Sequence, residues 1–229
     1  MTQTLPDISQ AAVPYRAHRE RQRRRILSAA QELFDAKGID RVTVAEIVTA
    51  TGIRASTLYE YFSNKDEIVW ALVEDVMRQG AEHALRALET VHGSALEKIT
   101  VLFHAFEDQL LHHPAHVRFM AQFDAMYARD WTVEQLLSVE GRIMPSGFHG
   151  LSDLIREGIA DGSLRPDLNP DLTMQSVLNA VIGTQRRLAS LGDRVEKEYG
   201  QPIHLLFRET VRIILLGLTA AERPARRKT

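Results

Sequence analysis

The chain has 229 residues, 45% of them hydrophobic and 25% charged, which is the composition of a globular protein with room for one large or two small domains. It contains no cysteine, so disulfides, thiolate metal clusters, cysteine nucleophiles and thiol redox sensing are excluded. The formal net charge is −2, but residues 13–65 hold ten basic and six acidic side chains, an asymmetry typical of a chain in which one segment contacts phosphate.

The two ends of the chain have the composition of disordered segments. Residues 1–18 are expected to form a disordered leader, and the basic residues 221–229 a disordered tail. The start of the chain lacks the charged-then-apolar pattern of a signal peptide. The longest apolar run, residues 213–221, is interrupted by Gly217 and is much shorter than the roughly 20 residues that cross a bilayer. We therefore expect a cytoplasmic protein without a membrane span.

The first predicted helix covers residues 20–37. Between Ile26 and Phe34, apolar residues recur at the spacing of one buried helix face. Gly38 follows, where a left-handed cap is expected. Residues 16–25 contain six arginines and one glutamate. Such a basic segment either contacts phosphate or is a solvated helix start.

Four capping boxes predict where further helices begin. In this motif a hydroxyl and the side chain three residues later satisfy backbone amides that the first helical turn leaves without partners. Each pair stands immediately before an apolar pattern of helical period. The four pairs are Thr43 with Glu46, Ser63 with Asp66, Ser94 with Glu97, and Thr132 with Gln135.

A helix-turn-helix pattern follows the first loop. Residues 44–50 form one short amphipathic helix, and Gly52 can take the positive φ that a tight turn requires. The second helix, residues 54–62, directs Leu58 and Phe62 inward. Its outer face carries groups that can hydrogen-bond to base edges and phosphates: Arg54, Ser56, Thr57, Tyr59 and Tyr61. The alternative is that this polar face is only exposed to solvent.

This segment resembles the N-terminal domain of the tetracycline-repressor (TetR/AcrR) family over about residues 21–70. The similarity rests on residues that keep the family's register: Thr43, Val44, Ile47, Gly52, Ile53, Ser56, Thr57, Leu58, Tyr59, Tyr61, Phe62, Lys65 and Glu67. It implies an all-α homodimer that binds a pseudo-palindromic operator and leaves it when a small ligand enters the C-terminal domain. Val48 and Arg54 depart from the pattern, which usually has alanine at the first position and often a capping serine at the second.

The resemblance also implies DNA-binding roles. Phosphate contacts are expected from Thr43, Tyr59, Tyr61 and Lys65, and base contacts from Arg54, Ala55, Ser56 and Thr57. Arg54 reaches either a phosphate or a guanine edge, and its lack of a cap costs roughly 1 kcal/mol. Arg23 and Arg24 are expected to support binding electrostatically from the adjacent backbone or minor groove. The implied domains are residues 19–66, which bind DNA, and residues 67–220, which bind ligand and dimerise.

Helical patterns continue to the end of the chain. The helix after Ser63 extends to about Thr90 and is long enough to join two domains. Later helices are expected at about residues 95–111, 115–128, 133–141, 147–160, 170–190 and 203–218. Apolar residues of the last helix cover more than one face, which suits burial against both its own subunit and a partner. Family architecture implies that the last two helices pair across a two-fold axis as a four-helix bundle.

The candidate effector-binding residues lie between positions 104 and 131. Met and aromatic side chains form adaptable apolar walls, and polar side chains orient a ligand. The set is His104, Asp108, Phe119, Met120, Phe123, Tyr127 and Trp131, with Gln122 and Asp124 as further polar candidates. The alternative is that most apolar members are ordinary core. His112, His113 and His116 with Asp108 are a candidate metal site, but Pro114 breaks the helix that would align the rings, and we expect no metal.

No enzymatic motif is evident: the chain has no nucleophile elbow, phosphate loop, HExxH or paired-carboxylate signature. We therefore predict a sequence-specific DNA-binding transcriptional regulator, a repressor released by a small-molecule effector, with no catalytic residue and no cofactor. Two alternatives are an architectural DNA binder without an effector and a ligand-binding scaffold that has lost operator binding. The intact set at residues 43–65 argues against the second.

Overall fold

The structure is a computed structural model that describes residues 8–144 and 149–219. Within these ranges the chain forms eleven helices and no strand. They are α1 (Ile8–Lys37), α2 (Val44–Thr51), α3 (Ala55–Tyr59), α4 (Lys65–Glu89), α5 (Ala95–His112), α6 (Pro114–Asp130), α7 (Val133–Ile143), α8 (His149–Asp161), α9 (Pro170–Leu191), α10 (Arg194–Tyr199) and α11 (Ile203–Leu218). Among the helices described, none combines the length and apolar character that crossing a bilayer requires.

The first helix is longer than the sequence predicts. It begins at Ile8, whereas the apolar pattern places its start near residue 20 and assigns residues 1–18 to a disordered leader. Ala11, Ala12 and Ala17 favour helix in this segment, whereas Pro14 lacks the amide donor of a helix interior. The rest of the expected leader and the expected tail at 221–229 lie outside the described residues.

Three of the four predicted capping boxes are confirmed, at the starts of α2, α5 and α7. The box at Ser63 is wrong by one residue. Asn64 is the cap of α4, since its Oδ1 accepts a hydrogen bond from the Glu67 amide at 2.9 Å, and the Glu67 carboxylate accepts one from the Ser63 amide at 2.7 Å. Asparagine caps a helix as well as serine does, and the acidic residue three positions later completes the pair.

The chain divides into two compact units, and the division falls between Val73 and Glu74, inside α4. This point lies C-terminal to the boundary at residues 66–67 that the resemblance implies. In the first unit α2 packs against both α1 and α3. The core of this unit contains side chains that are completely buried: Ile26, Ala30, Phe34, Ile47, Leu58, Ile68, Val69 and Val73.

The second unit is organised around α9, which packs against α5, α6, α8, α10 and α11. Its core includes Phe103, Ile155, Val181, Val195 and Phe207. The turn after α8 closes onto the start of α5, because the Asp161 carboxylate accepts a hydrogen bond from the Ala95 amide at 2.9 Å. The short helix α10 is not predicted by the sequence, since it is mostly charged and too short to show a period.

Candidate nucleic-acid interface and ligand domain

The helix-turn-helix is fixed at its start by the capping box of α2. The Thr43 hydroxyl accepts a hydrogen bond from the Glu46 amide at 3.3 Å and donates one to the Glu46 carboxylate at 2.9 Å. Gly52 ends α2 in the left-handed region, with φ of 64°, as the sequence predicts. Because a side chain is strained at this φ, glycine allows the sharp turn into α3. The Thr43 side chain thus has a structural role in addition to its proposed phosphate contact.

The start of α3 is the most exposed part of the predicted recognition segment. Arg54 is its N-cap, with extended backbone and no side-chain capping hydrogen bond. Arg54, Ala55 and Ser56 are exposed, Thr57 is half-buried, and Leu58 on the opposite side is completely buried. The four candidate base-reading residues therefore lie together at one helix end, held by a single apolar anchor.

The two candidate tyrosines differ in their environments. Tyr59 is 54% exposed at the end of α3. The sequence predicts that this helix ends at residue 62, but it ends at Tyr59. It stops earlier because the chain must leave the helical region before Asn64 can cap α4. Tyr61 therefore follows α3 in a turn, where it is half-buried and lies under the guanidinium of Arg19 at 5.5 Å from the ring centre.

Lys65, a predicted phosphate contact, makes hydrogen bonds within the chain. Its ammonium donates hydrogen bonds to the carbonyl oxygens of Ile39 at 3.0 Å and Asp40 at 3.5 Å. These contacts join the start of α4 to the loop between α1 and α2. Sequence reasoning missed this role because the bond joins residues 26 positions apart. An ammonium group has three donors, so a phosphate contact remains open to Lys65.

Arg23 and Arg24 lie on the regular helix α1. Arg23 is half-buried and its guanidinium lies 5.8 Å from the ring centre of Phe62. Arg24 is exposed and lies 3.6 Å from the Glu20 carboxylate on the next turn. The predicted basic segment, residues 16–25, thus lies on the regular helix α1, and two of its arginines adjoin aromatic rings that follow α3.

The carboxyl of Glu46 is perturbed by its hydrogen-bond partners. Hydrogen bonds from the Lys37 ammonium, from the Thr43 amide and from the Thr43 hydroxyl lower the pKa of its carboxyl from 4.5 to about 2. The Lys37 ammonium lies 2.7 Å from the carboxylate. This ion pair ties the end of α1 to the first turn of α2.

In the C-terminal unit the candidate effector residues divide into two groups. His104 and Asp108 are exposed on α5, and the Asp108 carboxylate lies 3.4 Å from the His83 ring of α4. On α6, Phe119, Met120 and Phe123 are buried, as the alternative of ordinary core requires. Tyr127 and Trp131 are half-buried beyond them.

The aromatic residues at the end of α6 form one stack. The Phe123 ring lies 5.2 Å from the Trp131 ring, nearly parallel to it, and 5.6 Å from the Tyr127 ring. Stacked aromatic faces give a flat apolar wall to the end of the helix. These three predicted residues are therefore brought together by the fold.

Two polar residues of α9, Gln185 and Arg186, were not predicted by the sequence to make contacts within this unit. Arg186 of α9 pairs with Asp124 of α6, and burial lowers the pKa of the guanidinium to about 10. The neighbouring Gln185 is buried and donates a hydrogen bond to the Phe106 carbonyl oxygen at 2.7 Å. Gln185 occupies the buried stripe of α9 that contains Leu178 and Val181. A polar residue at an apolar position of this stripe was the feature of the sequence that could have indicated a buried hydrogen bond.

The histidine cluster is not assembled around a common centre. The rings of His113 and His116 are stacked with centres 5.5 Å apart. Desolvation, together with the charge of His113, lowers the pKa of His116. His113 has left the helical region ahead of Pro114, as predicted. In the part of the chain that the structure describes, no three His, Asp or Glu side chains are grouped to hold a metal ion.

Comparison with known proteins identifies the helix-turn-helix region. Residues 26–72 match the family model described as bacterial regulatory proteins, tetR family. The chain is 28% identical over 197 residues to the HTH-type transcriptional repressor KstR2 of Mycolicibacterium smegmatis, with 86% of this chain and 90% of that protein covered.

Solved structures have the same fold over most of the chain. The ketosteroid transcriptional regulator KstR2 of Mycobacterium tuberculosis matches with a TM-score of 0.65 and 22% identity, covering 87% of this chain and 96% of that one. The transcriptional regulator FadR from Bacillus subtilis, in complex with stearoyl-CoA, matches with a TM-score of 0.63 and 21% identity, covering 85% and 98%. The chain is therefore an all-α DNA-binding transcriptional regulator whose helix-turn-helix region, residues 26–72, matches the tetR family.

Proposed function

We propose that the chain represses transcription by binding a two-fold-related operator as a homodimer, and that a small molecule bound in the C-terminal unit releases it. The observation that carries the proposal is the exposed start of α3, where Arg54, Ala55 and Ser56 are free of packing and Leu58 anchors the helix. A helix end presented in this way fits the major groove. DNA binding is assigned to residues 19–66, and ligand binding and dimerisation to residues 67–220.

The proposed contacts divide into two kinds. Arg54, Ala55, Ser56 and Thr57 read base edges, because they surround the first turn of α3. Phosphates are bound by Thr43, Tyr59, Tyr61 and Lys65, with Arg23 and Arg24 adding positive charge from α1. Tyr59 is the clearest phosphate contact, since the residue is 54% exposed next to the recognition turn.

Dimerisation is proposed through α9 and α11. Leu172 of α9 is 63% exposed, and Ile213 and Leu216 of α11 are 58% and 59% exposed. Gly217, next to Leu216, has open space in front of its α-carbon, which leaves room for a helix to approach closely. Burying these side chains against a second copy would remove apolar surface from water. Recognition helices of such a dimer bind successive major grooves about 34–36 Å apart.

The effector is proposed to bind beside α6, against the stack of Phe123, Tyr127 and Trp131. The Asp124–Arg186 pair supplies charged groups on α6 and α9. His104 and Asp108 lie on the exposed side of α5 and are proposed as outer contacts. The stearoyl-CoA carried by a structural neighbour makes a long-chain acyl-CoA the first effector to test.

The helix α4 is proposed to carry the response. It crosses the division between the units, and its C-terminal part is tied to two helices of the ligand domain. The Glu74 carboxylate lies 2.8 Å from Arg142 of α7, and His83 lies 3.4 Å from Asp108 of α5. A ligand that displaces α5 or α7 would move α4 and change the spacing of the recognition helices.

The test begins with a duplex selected from a random-sequence library by the wild-type protein. Arg54→Ala should change the selected sequence, whereas Tyr59→Phe should weaken binding to every duplex while leaving the sequence preference intact. Stearoyl-CoA should reduce occupancy of the selected duplex in footprinting. If the wild-type protein selects no sequence, DNA readout is excluded; if a bound acyl-CoA leaves occupancy unchanged, release by that ligand class is excluded.

A further inference from the structure

One face of α1 changes from apolar side chains to arginines toward the N-terminus of the helix. Phe34, Ala30 and Ile26 form an apolar stripe on this face and are completely buried. Steps of three and then four residues extend this stripe from Ile26 to Arg23 and Arg19, which lie on the same side of the helix. Two guanidinium groups therefore occupy the positions where an apolar stripe would continue.

Each of these arginines is matched to an aromatic ring in the turn after α3. The Arg19 guanidinium lies 5.5 Å from the ring centre of Tyr61, and that of Arg23 lies 5.8 Å from the ring centre of Phe62. Both distances are within the range of a cation–π attraction. Phe62 is buried, so Arg23 covers a core residue, whereas Arg19 is exposed and Tyr61 only half-buried.

The Arg19–Tyr61 pair has hydrogen-bond donors left for a ligand. Contact with a ring uses the flat face of a guanidinium and leaves its N–H groups, which lie in the plane, available for hydrogen bonds. The phenol hydroxyl of Tyr61 can also donate to a phosphate oxygen. A planar cation next to a phenol is thus suited to the backbone of one DNA strand.

We propose that Arg19 is a positioning residue for Tyr61, and that the pair forms a phosphate-binding edge which extends the DNA interface from the end of α3 onto α1. This inference rests on the proposed function. The proposed pairing differs from a nonspecific attraction between DNA and the arginine-rich segment, because it assigns one arginine to one tyrosine.

A double-mutant cycle tests the pairing. The variants are Arg19→Ala, Tyr61→Ala and the combination, with Arg21→Ala as the matched control. Arg21 is exposed on the same helix, roughly 200° around it from Arg19, so its removal changes the net charge equally. Binding is measured on a duplex selected by the wild-type protein, over a series of salt concentrations.

Arg19→Ala should weaken binding on the order of tenfold and reduce the salt slope by about one, the effect of losing one phosphate contact. The double variant should bind about two- to fivefold more tightly than the product of the single losses predicts. Arg21→Ala and Tyr61→Ala should combine as independent losses. Arg19→Lys should keep the wild-type salt slope and lose most of the coupling, since an ammonium lacks the planar face.

Independent losses in the Arg19 and Tyr61 cycle, or equal coupling in the Arg21 cycle, would overturn the pairing. Thermal unfolding of each variant identifies a change that acts through folding. If Arg19→Ala does not fold, Arg19→Lys with Tyr61→Ala forms the second cycle. A wild-type protein without any preferred duplex contradicts the proposed function itself, whereas a preferred duplex with independent losses contradicts only the role of Arg19.

Discussion

Arg54 occupies the N-cap of α3 with φ of −73° and ψ of 147°, and its side chain makes no capping hydrogen bond. Serine at this position would supply the missing acceptor. We predict that Arg54→Ser raises the free energy of unfolding by about 1 kcal/mol and changes the preferred duplex sequence. Chemical denaturation and duplex selection measure the two effects. Arg54→Ala is the control, since it removes the guanidinium without adding a cap and should change only the sequence preference.

The pH dependence of the first unit is predicted from Glu46. Its carboxyl has a pKa of about 2 in the folded chain and an ordinary value of 4.5 when unfolded. A lowered pKa stabilises the folded state above pH 4.5, and this contribution is lost as the pH falls from 4.5 toward 2. Glu46→Gln should flatten the decline of unfolding free energy over that window. An equally steep decline in the variant would show that other carboxyls cause it.

The local sequence pattern predicts the structural roles of residues whose partners lie within one helical turn. Thr43 with Glu46 and the positive φ of Gly52 each follow from neighbours a few positions away. The roles of Tyr61 and Lys65 are implied by the family resemblance, but their surroundings come from α1 and from the loop before α2. Contacts between distant residues depend on helix packing, which a single sequence does not specify.

At the scale of elements, the pairing of α6 with α9 depends on Asp124 and Arg186. Asp124→Ala would leave a mostly buried guanidinium without this carboxylate. We predict a loss of about 1–3 kcal/mol in the unfolding free energy, because Asp124 is half-exposed and solvent partly compensates.

The matched test is the double variant Asp124→Leu with Arg186→Met, measured by chemical denaturation. It should recover much of the loss, since two apolar groups can replace a charged pair. If Asp124→Ala alone left stability unchanged, the pair would have no role in joining these helices.

Helix boundaries followed from apolar periodicity and caps except at three places. α1 begins at Ile8, ahead of the apolar pattern, and α3 stops at Tyr59 because the next cap intervenes. α10 buries Val195 but has too few residues to show a period. Each exception lies where propensity or packing decides the structure and no repeating pattern exists.

At the scale of the whole molecule, the exposed apolar residues of α11 predict that the chain forms a dimer through this helix. Leu216→Lys combined with Ile213→Lys should give a monomer, because two charges would have to be buried in the proposed interface. Affinity for the selected duplex should fall about a hundredfold or more, since one half-site would be bound alone.

Sedimentation equilibrium and mobility shift measure these outcomes. Leu137→Lys is the matched control, since Leu137 is also 58% exposed but lies on α7. It should leave both assembly and DNA binding intact. A dimer that persists in the α11 variant would place the interface elsewhere.

The sequence by itself determined the helical fold, most helix limits, the helix-turn-helix and its exposed recognition turn. These follow from periodicity, caps and a glycine, all of which act over a few residues. Only the tertiary structure decided that Arg19 faces Tyr61, that Lys65 binds the loop before α2, and that Asp124 meets Arg186. Each of these contacts joins separate helices or loops, and the packing of those elements depends on the whole core.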